Sequence, residues 1–171
     1  MTKTGTVQSD PYKTITEAVG IADSSTTHSK IYLASGVYSS SSGEDFPLTL
    51  DNIDLIGNPD NPSQVEVSGE MTVSNGEVTG IKFYQTLTAV ENALLKQNAF
   101  SGAPYGVKLS GASTVTDNKF RDNSYAIDAS HYNVPIEITD NVFTNNNMAI
   151  RGSFGGSKVL IKCNQVDTGS Y

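Results

Sequence analysis

Asn98-Ala-Phe100, Asn118-Lys-Phe120, Asn141-Val-Phe143 and Asn164-Gln-Val166 are four versions of one phrase, spaced 20, 23 and 23 residues apart. The agreement extends outward from each asparagine. Three residues before it stand Leu95, Val115, Ile138 and Ile161, and nine residues after the first three stand Val107, Ile127 and Ile150. Ser110, Ser130 and Ser153 follow at position twelve. Columns that match at a single offset mark a solenoid with one turn of chain per repeat, clearest over residues 93–171. Leucine-rich repeats share this period, but they need leucine columns and a helical return. Here the apolar columns are Phe, Val and Ile, and the linking residues are Asn, Ser, Thr, Asp and Gly. Runs such as Ser113-Thr-Val-Thr116 and Pro135-Ile-Glu-Ile-Thr139 alternate like strands with one buried face. The expected fold is all-β, a parallel β-helix. Equivalent residues then stack at ~4.8 Å, and Asn98, Asn118, Asn141 and Asn164 form an internal amide ladder.

Composition sets the class. The 171 residues are 37% hydrophobic and 17% charged, enough to build one core, so residues 1–171 read as a single domain. A net charge of −7 without Lys/Arg clusters argues against nucleic acid and anionic membranes as partners. There is no apolar run of membrane length and no signal peptide at Met1, so no membrane insertion is expected. The single cysteine, Cys163, stands where Asp117 and Asp140 precede their asparagines and reads as incidental.

From the N-terminus, Thr14-Ile-Thr-Glu17 has the capping-box pattern, with Ile15, Ala18, Val19 and Ala22 on one face. A helix over residues 14–22 is predicted to cover the exposed end of the first coil. Strands are predicted at Lys30–Ala34, Val37–Tyr38, Phe46–Leu50, Ile53–Ile56, Gln64–Val67, Met71–Val73 and Glu77–Tyr84, with 39–44 a flexible loop. Phe83 opens the phenylalanine column in a shorter coil. The count comes to about six or seven coils, a rod ~30 Å long.

The opening segments carry a resemblance. Pro11-Tyr-Lys-Thr-Ile15 with Glu17-Ala18, Lys30-Ile-Tyr-Leu-Ala-Ser-Gly-Val-Tyr38, Phe46-Pro-Leu-Thr-Leu50 and Leu55-Ile-Gly57 resemble the start of pectin-lyase-like right-handed parallel β-helix proteins. They are most similar to an uncharacterised domain of bacterial surface and secreted proteins. The resemblance implies a right-handed helix, an extracellular or cell-surface location and a polysaccharide as partner. It supplies no catalytic residue that can be matched by motif.

Three places offer chemistry. Lys108, Asp128 and Arg151 form an outward column; they suit a lyase, which needs a base and a cation, or else an ion ladder with Asp128 pairing both cations. Asp117 and Asp140 lie one coil apart, as a glycosidase pair or as turn residues. With Asp122, Asn123 and Asn145–Asn147 they also present oxygen ligands of the kind Ca²⁺ prefers, although no known calcium loop is matched and no cofactor is expected. The insertions that lengthen the later coils bring His131 as a potential acid/base, Tyr132 as a sugar-stacking ring, and Phe154. Tyr105, Tyr125 and Tyr171, with Met148 between, read as a packed stack. Aligned Thr116 and Thr139 hint at an ice-binding face, but Lys96 and Lys162 break the array. The C-terminal coil has no recognisable cap, so self-association or further coils are expected there. The expected function is a non-catalytic extracellular or surface module contacting glycans. The rival is a lyase or hydrolase of uronate-containing polymer, or a fragment of one.

Overall fold

A computed structural model describes residues 11–22, 28–129, 134–153 and 158–167. These residues wind as a three-sided parallel β-solenoid. The first sheet runs through Ser29–Tyr32, Ile53–Ile56, Glu77–Thr79, Ala93–Lys96, Ser113–Thr116, Ile136–Thr139 and Val159–Lys162. The second runs through Gly36–Ser39, Val65–Ser68, Lys82–Phe83, Ala99–Ser101, Lys119–Arg121, Val142–Thr144 and Gln165–Val166. The third contains Leu48–Asp51, Met71–Ser74, Leu87–Ala89, Tyr105–Leu109, Tyr125–Ala129 and Met148–Gly152. One strand from each sheet, taken in chain order, makes coils 1 to 6; coil 7 contributes strands to the first two sheets.

Successive first-sheet registers advance by 24, 23, 17, 20, 23 and 23 residues: Ser29 to Ile53, Leu55 to Val78, Glu77 to Leu94, Ala93 to Ser113, Ser113 to Ile136 and Ile136 to Val159. The alternation of side chains puts one residue in two inside. Val78, Leu95, Val115 and Ile138 fill the first sheet's inner column, each fully buried. The phenylalanine column lies on the second sheet. Phe83, Phe100, Phe120 and Phe143 stack with centroids 5.2, 4.9 and 5.1 Å apart and planes within 13° of parallel. Such stacks add about 0.5–1.5 kcal/mol per pair to the burial of the rings.

The run Glu77–Tyr84, expected as one strand, is two. Gly80, at φ +71°, turns the chain between Glu77–Thr79 and Lys82–Phe83. A Cβ at Gly80 would collide with the backbone of Asn58 and Pro59, so only glycine fits this corner.

The helix forms at Ile15–Ala22 and sends Ile15 and Val19 into the core, packing beside the first strand. Its start is held from outside. Glu44 accepts from the amides of Ile15 (2.8 Å) and Thr16 (2.9 Å) and from the Thr16 hydroxyl (2.7 Å), while Thr14 Oγ1 accepts from the Glu17 amide. The segment 39–44 is therefore not the flexible loop its serines suggest. Ser40–Ser42 is a 3₁₀ turn in which Ser42 Oγ accepts from the Ser39 amide and donates to the Ser39 carbonyl, and Glu44 is buried.

At the other end, Leu160, Ile161 and Val166 remain about half exposed, and among the described residues no strand pairs beyond coil 7. No helix among these residues is long and apolar enough to cross a membrane.

Candidate functional site

A three-sided coil needs three corners, and the corners account for most of the acids and amides that the sequence offers as chemistry. Between the first and second sheets the chain takes a left-handed conformation at Gly80, Gln97, Asp117, Asp140 and Cys163, with φ from 54 to 71°. Between the second and third it does so at Gly102, Asp122 and Asn145, and between the third sheet and the next coil at Asn52, Asn75 and Asn92. Asn, Asp and Gly tolerate this region best. Asp117 and Asp140 therefore stand where they do for their backbones, whose amides donate to Thr139 and Lys162 carbonyls one coil on. Cys163 completes the same column.

The asparagines after the first corner build the expected ladder. The backbone amides of Asn98, Asn118 and Asn141 donate to Oδ1 of Asn118, Asn141 and Asn164 at 2.9, 2.9 and 3.0 Å. Each side-chain amide also donates backward, Asn118 Nδ2 to Leu95 O and Asn141 Nδ2 to Val115 O, both at 2.9 Å. Asn98, Asn118 and Asn141 are fully buried. Asn164 is only half-buried, because it lies in the last described coil.

A second ladder, unread in the sequence, follows the second corner. Ala103 N donates to Asn123 Oδ1 (3.1 Å), and Asn123 N donates to Asn146 Oδ1 (3.0 Å). Asn123 Nδ2 and Asn146 Nδ2 donate to Phe100 and Phe120 carbonyls. These two amides, considered above as oxygen ligands, are buried and committed to neighbouring coils. The Asp122 carboxylate accepts from Arg121 Nε at 3.1 Å.

Lys108, Asp128 and Arg151 do share one column, in register across coils 4 to 6. Both cations of the column face aromatic rings. Lys108 Nζ lies 4.2 Å over the Tyr105 ring, and Arg151 Cζ 5.2 Å over Tyr125. Tyr105 and Tyr125 are themselves stacked at 5.2 Å. The physical reason is local. Gly106 and Val107 both turn inward, so Tyr105 and Lys108 emerge on the same outer face, where the half-buried ring attracts the ammonium. His131, Tyr132, Phe154 and Tyr171 lie outside the described residues.

Among the described residues an open groove lies on another side. A depression of about 400 Å³ runs beside the third corner on the outer side of the first sheet, across coils 4 to 7. Leu94, Thr114, Glu137 and Leu160 align in register along it, with Pro135 and Lys158 at its side. Neither Lys108, Asp128 nor Arg151 lines it. It could not be read from the residues in advance, since leucine, threonine, glutamate and leucine make no chemical column.

Two polar clusters in the early coils were likewise unread. Glu66 accepts from Lys82 Nζ and Tyr84 Oη, each at 3.2 Å, and Lys82 also sits 4.6 Å over the Tyr84 ring; the Tyr84 and Glu66 oxygens hold its ammonium above the usual lysine value. Asp54, 7% exposed, accepts from the Glu77 amide (2.9 Å), pairs with Lys30 (3.4 Å) and meets His28 Nε2 at 2.7 Å. Burial pushes the Asp54 carboxyl up, but the Glu77 amide, His28 and Lys30 outweigh it, and it titrates below its ordinary value.

A comparison of the chain with protein families matches residues 1–169 to the family described as "Protein of unknown function (DUF1565)". The chain belongs to that family. No curated protein and no solved structure matches it. The DUF1565 match spans the helix, the seven described coils and both ladders.

Proposed function

We propose that this chain is a non-catalytic module of the cell exterior whose groove contacts a glycan. The groove along coils 4 to 7 carries the reading. An extended polymer lying there meets the same corner at every coil with different side chains, apolar at Leu94, Pro135 and Leu160 and polar at Thr114, Glu137 and Lys158. The resemblance of the opening segments to pectin-lyase-like proteins supports both the exterior location and the polysaccharide. A hydrolase asks for two carboxyls flanking one bond, and Glu137 is the single carboxylate among the described groove residues.

The test is retention of the whole chain in gels containing neutral or uronate-bearing polysaccharides, with absorbance of unsaturated products followed in parallel. Thr114→Arg, which fills the middle of the groove, is expected to weaken retention at least about tenfold. Lys108→Ala and Arg151→Ala are expected to leave it unchanged. Absence of retention on every polymer overturns the glycan reading. Turnover lost in both Lys108→Ala and Arg151→Ala, with folding intact, replaces it with the lyase.

A further inference from the structure

The strand Ser29–Tyr32 is one edge of the first sheet and is buried less well than the strands of coils 2 to 6, its inward residues only partly covered. Its attachment to coil 2 includes a polar clasp. His28, immediately before the strand, turns both ring nitrogens to oxygen: Nδ1 lies 3.0 Å from Asn52 Oδ1, and Nε2 lies 2.7 Å from Asp54 Oδ1. The imidazolium supplies an N–H to each oxygen, whereas a neutral ring keeps an N–H for Asp54 only if Asn52 turns its amide over and donates to Nδ1. Asp54 is fixed in turn by the Glu77 amide of coil 3, so the clasp spans three coils.

We propose that His28 is a proton-operated latch that holds coil 1 against coil 2. Protonated, it donates to Asn52 and Asp54 together. Neutral, it loses its charge attraction to the Asp54 carboxylate and keeps one N–H, so that Asn52 has to turn its amide over for both contacts to survive. Among the described residues, the charged groups facing it are Asp54 from coil 2 and Lys30 from its own strand, while Glu77 of coil 3 reaches Asp54 through its backbone amide alone. The hydrogen bonds to Asp54 and then Asn52 hold His28 above its ordinary value, against burial and Lys30.

The sign follows from linkage. With the folded value raised, the latch contributes fully below the ordinary histidine range and is lost as pH rises through the folded value. Asp54 sets the opposite limit, its contribution being lost as pH falls through its depressed value. When the latch opens, the first strand loosens and the well-buried Ile53 and Leu55 of the next strand become the sheet edge.

The experiment uses the whole chain with the second histidine changed, His131→Gln, so that one imidazole remains to be followed by NMR. The His28 midpoint is expected above that of a histidine in an unstructured peptide, and Asp54→Asn is expected to lower it. Hydrogen exchange of residues 29–32, corrected for its intrinsic pH dependence, is expected to rise severalfold from about pH 5.5 to about pH 8. In His28→Gln it should stay at the higher level throughout. A midpoint at or below the peptide value, a midpoint unmoved by Asp54→Asn, or an exchange profile with the same slope in His28→Gln overturns the proposal. The NMR titration alone decides it where the His28 variant does not fold.

Discussion

Coils 4 to 6 and coils 1 to 3 reach the same cross-section by different means. In the later coils most inner positions repeat the residue type above and below: asparagine on asparagine twice over, phenylalanine on phenylalanine, and Asp or Asn at the left-handed corners of coils 5 and 6. In the early coils the polar contacts are particular. Glu44 serves the helix, Asp54 gathers His28, Lys30 and the Glu77 amide, and Glu66 holds Lys82 and Tyr84. The difference is one of cooperation. A column shares its strain with two neighbours, whereas a single clasp secures only what it touches.

Three substitutions put this contrast under load, beginning with the most severe. Phe120→Ala removes a ring stacked on both sides and is expected to cost about 3–5 kcal/mol in denaturant unfolding. Hydrogen exchange should rise in coils 4 and 6 as well as in coil 5; a change confined to coil 5 would break the idea of a shared column. Asn141→Ala strips acceptors from Asn118 and a donor from Val115 at a dry corner, at an expected cost of about 1–3 kcal/mol by the same measurement. Glu44→Ala unties the helix start and is expected to cost about 1 kcal/mol, with faster exchange in residues 15–22 and unchanged exchange in coils 4 to 6. A larger global loss from Glu44→Ala than from Asn141→Ala would reverse the assignment of strength to the two halves.

The same contrast explains what could be read from the sequence. Periodicity is visible only where chemistry repeats, so the asparagine ladder, the phenylalanine column and the coil register were legible from residues 93–171. The capping helix was legible because Thr14 and Glu17 mark its start. The second ladder escaped because it is short: Ala103 occupies its place in coil 4. In coil 3 the chain passes from Phe83 to Leu87 directly, without the longer corner that separates Phe100 from Val107. Glu44 and His28 escaped for another reason. Their partners lie 28 to 29 and 24 to 26 residues away at positions with no recurring pattern, and proximity of that kind arises only after winding. The cations at Lys108 and Arg151 were placed correctly in one column, but their contacts with Tyr105 and Tyr125 were not foreseen. Strand alternation alone does not reveal that two successive inward residues bring Tyr105 and Lys108 together.

The corners carry a consequence for how such a chain can grow. They absorb differences in length, while the columns fix phase, so the coil is a unit of inheritance as well as of structure. A tandem duplication of residues 113–135 would deliver, in phase, two more left-handed corner residues, one more asparagine for each ladder and one more phenylalanine for the stack. The rod would lengthen by about 4.8 Å without any existing contact having to be reinvented.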